Sequence, residues 1–200
     1  MVQEKRVLPQ NHSEVRAVQS TDGIWHIPGK GIVFNQRSRK LGFFYEIIDP
    51  KALDGANMSD AISCFNHDMN HILGNVRNKT TSFTVTAEAM EYDTLPPDNQ
   101  TTKDIVIAPI LRGDVTGSSF MFSVAERGGD EWVEEPNGDI IRYVRKIDVV
   151  YEWGPVSMPA YLTTSTDVAK RSFDYFINEN KKQELQLRST FAKMQLELYR

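Results

Sequence analysis

Every proline and every glycine in this 200-residue chain stands at or before Pro159. These two residues are the strongest interrupters of regular backbone, so the chain divides into a punctuated body and an uninterrupted tail. From Asp167 the tail is charged and helix-favouring. Its apolar residues, Phe173, Phe176 and Ile177 and then Leu187, Phe191, Met194 and Leu198, recur at spacings of three and four. That period predicts a helix with an apolar stripe, capped by Ser165 or Thr166. A polar gap over 178–184 splits the stripe in two.

The body carries a period of two instead. Over 81–88, Phe83, Val85 and Ala87 alternate with Ser82, Thr84, Thr86 and Glu88, the mark of a half-buried strand. Over 119–124, Phe120, Phe122 and Val124 share one face, and Ser119, Met121 and Ser123 the other. Short strands are predicted at 24–27 and 31–34, on either side of Pro28 and Gly29, and at 43–48. A long strand is predicted over 140–152, after a hairpin-like excursion bracketed by Gly128-Gly129 and Pro136-Asn137-Gly138. An apolar stretch over 105–111 reads as a short helix that Pro109 kinks or shortens. The first twenty residues are polar and read as loosely held. The expected organisation is a flexible segment over 1–20, a β-rich body over 21–166 and a helical tail over 167–200. The length suits one domain with a sizeable core.

Composition narrows the function classes. With 40% hydrophobic and 25% charged residues and a net charge of -4, the chain reads as soluble and globular. No Lys/Arg block long enough to track phosphates is present, so no nucleic-acid partner is expected. No apolar run approaches a membrane span, and residues 1–10 lack the apolar core of a secretion signal. The single cysteine, Cys64, cannot form an internal disulfide and suits a reducing compartment. The expected location is cytoplasmic.

Residues 60–71 (DAISCFNHDMNH) hold two of the four histidines and the only cysteine. His67 and His71 have the i, i+4 spacing of a zinc-binding helix, and Ile62, Phe65, Met69 and Ile72 fit a helical period. That zinc motif needs Glu after the first His, however, and here Asp68 stands there. Cys64 has no neighbouring cations to lower its pKa and reads as a small core residue. The third reading is a serine nucleophile with His67 as its base. Serine is too weakly acidic to attack a carbonyl without an imidazole to take its proton, and that imidazole needs an acceptor on its far nitrogen.

The order of several local motifs favours the serine reading. Residues 31–35 (GIVFN) form an apolar run after a glycine, and 43–47 (FFYEI) precede 50–54 (PKALD). Then follow 65–68 (FNHD), 72–74 (ILG) and 112–122 (RGDVTGSSFMF), with 150–152 (VYE) and 159–161 (PAY) closing the series. In this order and spacing the chain resembles the caudovirus prohead serine protease family, over roughly 29–166. The resemblance implies a β-rich α+β fold, a mostly antiparallel β-barrel with flanking helices like herpesvirus assemblin.

The resemblance also implies roles. His67 becomes the general base and Ser119 the nucleophile, with the adjacent Ser118 in reserve. Glu152 becomes the carboxylate that orients His67. Asp148, four residues earlier on the same strand, is the reserve for it. The implied reaction is peptide-bond hydrolysis through an acyl-enzyme, with no metal or organic cofactor. The implied substrates are the scaffold and major capsid proteins, cleaved inside the assembling procapsid in the host cytoplasm, together with the chain itself. The tail would then serve as a scaffold anchor, a self-association element or a helix packed back on the body. Two alternatives stay open: a catalytically inactive capsid-assembly protein of the same fold, and a zinc hydrolase using His67 and His71.

Overall fold

The computed structural model describes residues 3–8, 10–157 and 166–198. The chain divides into two units, Met1–Ser165 and Thr166–Arg200. The first opens with β1 (Glu4–Val7), α1 (Gln10–Ser13), β2 (Val18–Gln19), β3 (Trp25–Val33) and β4 (Phe44–Ile48). Next come β5 (Ile62–Cys64), β6 (Ile72–Asn75), β7 (Thr81–Val85) and β8 (Ala89–Thr94). A helical passage follows: α2 (Gln100–Thr102), a π-helical turn (Lys103–Ile107) and α3 (Ala108–Arg112). The unit continues through β9 (Gly117–Val124), β10 (Asp130–Glu134), β11 (Ile140–Val144) and β12 (Ile147–Val156). The second unit holds one helix, α4 (Thr166–Leu198).

The fold is β-rich α+β and mostly antiparallel; among the described strands only β4–β11 and β5–β12 pair in parallel. The expected closed barrel is not found. The described strands form three sheets, ordered β1-β9-β12-β5-β6, β10-β11-β4 and β2-β3-β8-β7. Closure needs every strand to have a neighbour on both sides, and β1 and β6 end the largest sheet. That sheet packs one face on the main core, where Phe120, Phe122, Val150 and Trp153 meet Ile32, Phe34, Met90 and Tyr92. Each such side chain gains roughly 1.5–3 kcal/mol by leaving water. The Trp153 indole meets the Phe83 ring edge-on, and its N–H donates to Thr81 Oγ1 at 3.2 Å. A second core joins Val106, Ile107 and Ile110 of the helical passage to Ile27, Phe65 and Leu73.

Local signals are overridden in four places. The two strands expected around Pro28 and Gly29 are one, β3, because Gly29 serves close approach: a Cβ there would lie 2.6 Å from the Tyr92 hydroxyl. The single strand expected over 140–152 is two. Between them, the amides of Arg145 and Lys146 both donate to the Gly129 carbonyl, at 2.8 and 3.0 Å, and draw the chain out of the sheet. The helix expected near 105–111 runs from Gln100 to Arg112, and the π-helical turn Lys103–Ile107 departs from the regular ladder just before Pro109, which has no N–H to give to it. Finally, residues read as loosely held include β1, which pairs with β9 and sets Val7 opposite Ser119.

The tail is helical as expected, and continuous through its polar gap. The residues there are mostly adequate helix formers, and Glu179 and Lys182 form an ion pair at 2.6 Å one turn apart. The Ser165 cap and the 159–161 motif lie outside the described residues.

Candidate active site

The segment carrying His67 is a hairpin, not a helix. Residues 62–64 form β5, paired with β12 on one side and β6 on the other. The chain then reverses: the Asp68 amide donates to the Phe65 carbonyl at 3.0 Å, with Asn66 at φ 55° and His67 at φ 59°. Two successive left-handed residues inside such a turn define type I′. Asn and His are among the few side chains that accept this conformation. The helical spacing behind the zinc reading therefore does not apply. The His71 ring meets Asp68 through Nδ1 at 2.9 Å, whereas the His67 ring turns to Glu152. Among the described residues, no group of three His, Cys, Asp or Glu is placed to hold a metal.

Glu152, on β12, is 1% exposed. Its Oε1 contacts His67 Nδ1, and its Oε2 accepts from the Cys64 thiol at 2.7 Å. A carboxylate withdrawn from water needs partners of this kind. The thiol is in turn held far above its ordinary pKa, first by burial, then by the Glu152 charge and their hydrogen bond. Cys64 is therefore a protonated donor and not a nucleophile. Asp148 does not share this role. Parity along a straight strand would put it on the Glu152 face, but β12 bulges between Ile147 and Val149 and again between Val150 and Glu152. It is Glu152 that meets the imidazole.

The two serines of β9 face opposite ways. Ser118 is buried toward Tyr92, whose hydroxyl lies 3.3 Å from its Oγ. Phe120 faces the same core, opposite Trp153. Ser119 sits opposite Gly154, and Met121 opposite Glu152, so Ser119 and Glu152 share the other face of the sheet. Gly154 packs on the Cys64 backbone so closely that a Cβ would collide with its carbonyl. Beyond it, the Asn66 amide donates to the Pro155 carbonyl at 3.0 Å. Ser119 and the His67 turn are thus separated by one intervening strand, two strand spacings or roughly 10 Å. A serine hydroxyl, an imidazole and one hydrogen bond can span that gap. No direct hydrogen bond joins Ser119 to His67 among the described residues, and Ser119 is 1% exposed.

With that geometry in view, the relatives are informative. The sequence model of the caudovirus prohead serine proteases matches residues 11–179. The chain belongs to that family. It is a phage prohead protease by descent, and the match spans every residue of the site. Among solved structures, the capsid assembly protease gp21 of bacteriophage T4 aligns with a TM-score of 0.39 and 12% identity, over 76% of this chain and 98% of that one. No curated protein matches the sequence.

Three features of the prohead protease site escape a sequence reading. Cys64 reads as inert packing, because nothing local announces a carboxylate partner 88 positions away. The role of Gly154 depends on the closeness of β5. Asn66 carried a usable signal: Asn before His and Asp is a left-handed turn pattern, hidden here by the accidental helical spacing of the apolar residues.

Proposed function

We propose that this prohead protease is a serine endopeptidase in which Ser119 attacks, His67 moves the proton and Glu152 steadies the imidazolium. One observation carries the reading: Glu152 occupies His67 Nδ1 on the sheet face that Ser119 shares. With Nδ1–H donated to the carboxylate, Nε2 is left as the basic nitrogen, the tautomer that can take a hydroxyl proton. Ser118 is unsuited to the task, since its hydroxyl is committed to the Tyr92 side of the sheet. The proposed substrates are the scaffold and major capsid proteins inside the procapsid, within the host cytoplasm, and the chain itself. The proposed domain plan is a protease body followed by a helical tail that anchors to scaffold or self-associates.

A second reading, an assembly protein of this fold without activity, is favoured by the burial of Ser119. A peptide reaches that hydroxyl only after the chain around it moves. Co-expression with capsid and scaffold proteins separates the two. The protease reading expects wild-type particles with shortened proteins, and full-length proteins in particles made with Ser119→Ala or His67→Ala. A serine-directed phosphonate should label wild type at Ser119. Uncut wild-type particles without label favour the inactive reading.

A further inference from the structure

Only residues 62 and 63 of β5 pair with β12, so sheet hydrogen bonds end four residues short of His67. What ties the His67 turn to the strand bearing Glu152 is Asn66. Its backbone amide donates to the Pro155 carbonyl at 3.0 Å. Its side-chain Oδ1 accepts from the Ser157 amide at 2.8 Å and from the Ser157 hydroxyl at 3.0 Å. Three bonds thus join Asn66, at φ 55°, to Pro155 near the end of β12 and to Ser157 just past it, 91 positions away in sequence. The next residue is His67, also left-handed, whose ring meets Glu152 on the same strand.

We infer that Asn66 is a positioning residue of the catalytic pair. It fixes the turn against the end of β12 so that the His67 ring lies on Glu152, and it does so without touching substrate. This inference rests on the proposed serine chemistry for its effect on rate, but not for its effect on the His67–Glu152 contact. Orientation is the quantity at stake, since a misplacement of about 1 Å at a reacting group costs roughly 10² in rate.

Substitutions separate backbone conformation from side-chain acceptance. Asn66→Gly keeps the left-handed turn and the amide donor but removes Oδ1. Asn66→Asp keeps an acceptor in place. Ser157→Ala, at an exposed position, removes one of the two side-chain bonds without disturbing the fold. In the full-length protein, phosphonate inactivation is resolved into its maximal rate and its half-saturating concentration, and His67 is followed by NMR with nitrogen-15-labelled histidine. For Asn66→Gly we expect a maximal rate 10- to 100-fold lower, half-saturation within about 2-fold of wild type, and loss of the low-field Nδ1 proton signal of a ring bound to carboxylate. Asn66→Asp should restore the rate to within about 3-fold and keep the signal, and Ser157→Ala should fall between. A merely structural role would lower Asn66→Gly in urea stability without separating rate from half-saturation. The inference is overturned if Asn66→Gly keeps both rate and signal, if Asn66→Asp fails as badly as Asn66→Gly, or if Ser157→Ala behaves as wild type. Should the phosphonate leave wild type unlabelled, the serine chemistry fails and the NMR comparison alone decides the role of Asn66.

Discussion

On one side of β9, Glu4, Arg6, Glu46 and Arg142 are buried together; on the other, Glu152 is buried against a histidine and a thiol. The first group is saturated with permanent charge. Arg6 takes both Glu46 oxygens, at 2.6 and 2.7 Å, and reaches Glu4 at 2.6 Å. Arg142 takes both Glu4 oxygens, at 2.7 and 2.9 Å, and Asp130 at 2.8 Å. Burial works against the charges of Glu4 and Arg142, yet their mutual bonds prevail: Glu4 stays below the usual carboxylate range and Arg142 above the usual guanidinium one. The second group places its carboxylate against an imidazole and a protonated thiol, with no permanent cation among these contacts. Opposite permanent charges lock strands together, and β1, β4 and β11 meet at these residues. A carboxylate that holds an imidazole by Nδ1 leaves Nε2 as the nitrogen able to take and return a proton, which is a requirement for acid–base chemistry. The same strand thus separates a structural use of buried charge from the proposed chemical one.

Substitutions on each face should break that comparison if it is wrong. The largest expected effect is Glu152→Gln, which removes the charge but keeps the shape. We expect cleavage of the proposed capsid and scaffold substrates to fall by about 10³–10⁴, with little change in the urea midpoint. A variant that cleaves normally but unfolds easily would place Glu152 with the structural charges. Next comes Arg142→Met, which removes one of the two cations, Arg6 and Arg142, that Glu4 and Glu46 share. Breaking a buried network in this way costs about 3–5 kcal/mol in urea unfolding. A neutral result would show that the network locks nothing.

The smallest effect is acid sensitivity. Glu4 lies below its ordinary value of 4.5 in the folded chain, so its contribution is complete above that value and disappears as pH falls through the lowered one. Urea midpoints measured from pH 7 to pH 3 should drop below about 4.5 in wild type. The drop should be shallower in Glu4→Gln, which has no such group to protonate. An equally steep fall in both would assign the acid sensitivity to other carboxylates.

The periodicities of the sequence alone determined the strands β4, β7 and β9, the inward face of Phe120 and Phe122, and the helical tail, because these depend on side chains a few residues apart. The ordered motifs around His67, Ser119 and Glu152 were legible through their resemblance to the prohead protease family. Tertiary structure decided the rest: the pairing that brings Ser119 and Glu152 to one face of the largest sheet, the bulges that spoil strand parity for Asp148, and the separate sheets in place of a barrel. It also recruited β1, Cys64 and Asn66, whose partners lie on distant strands. Hydrogen-bond partners 40 to 138 residues apart leave no periodic trace in a sequence, because only the folded backbone brings them within reach.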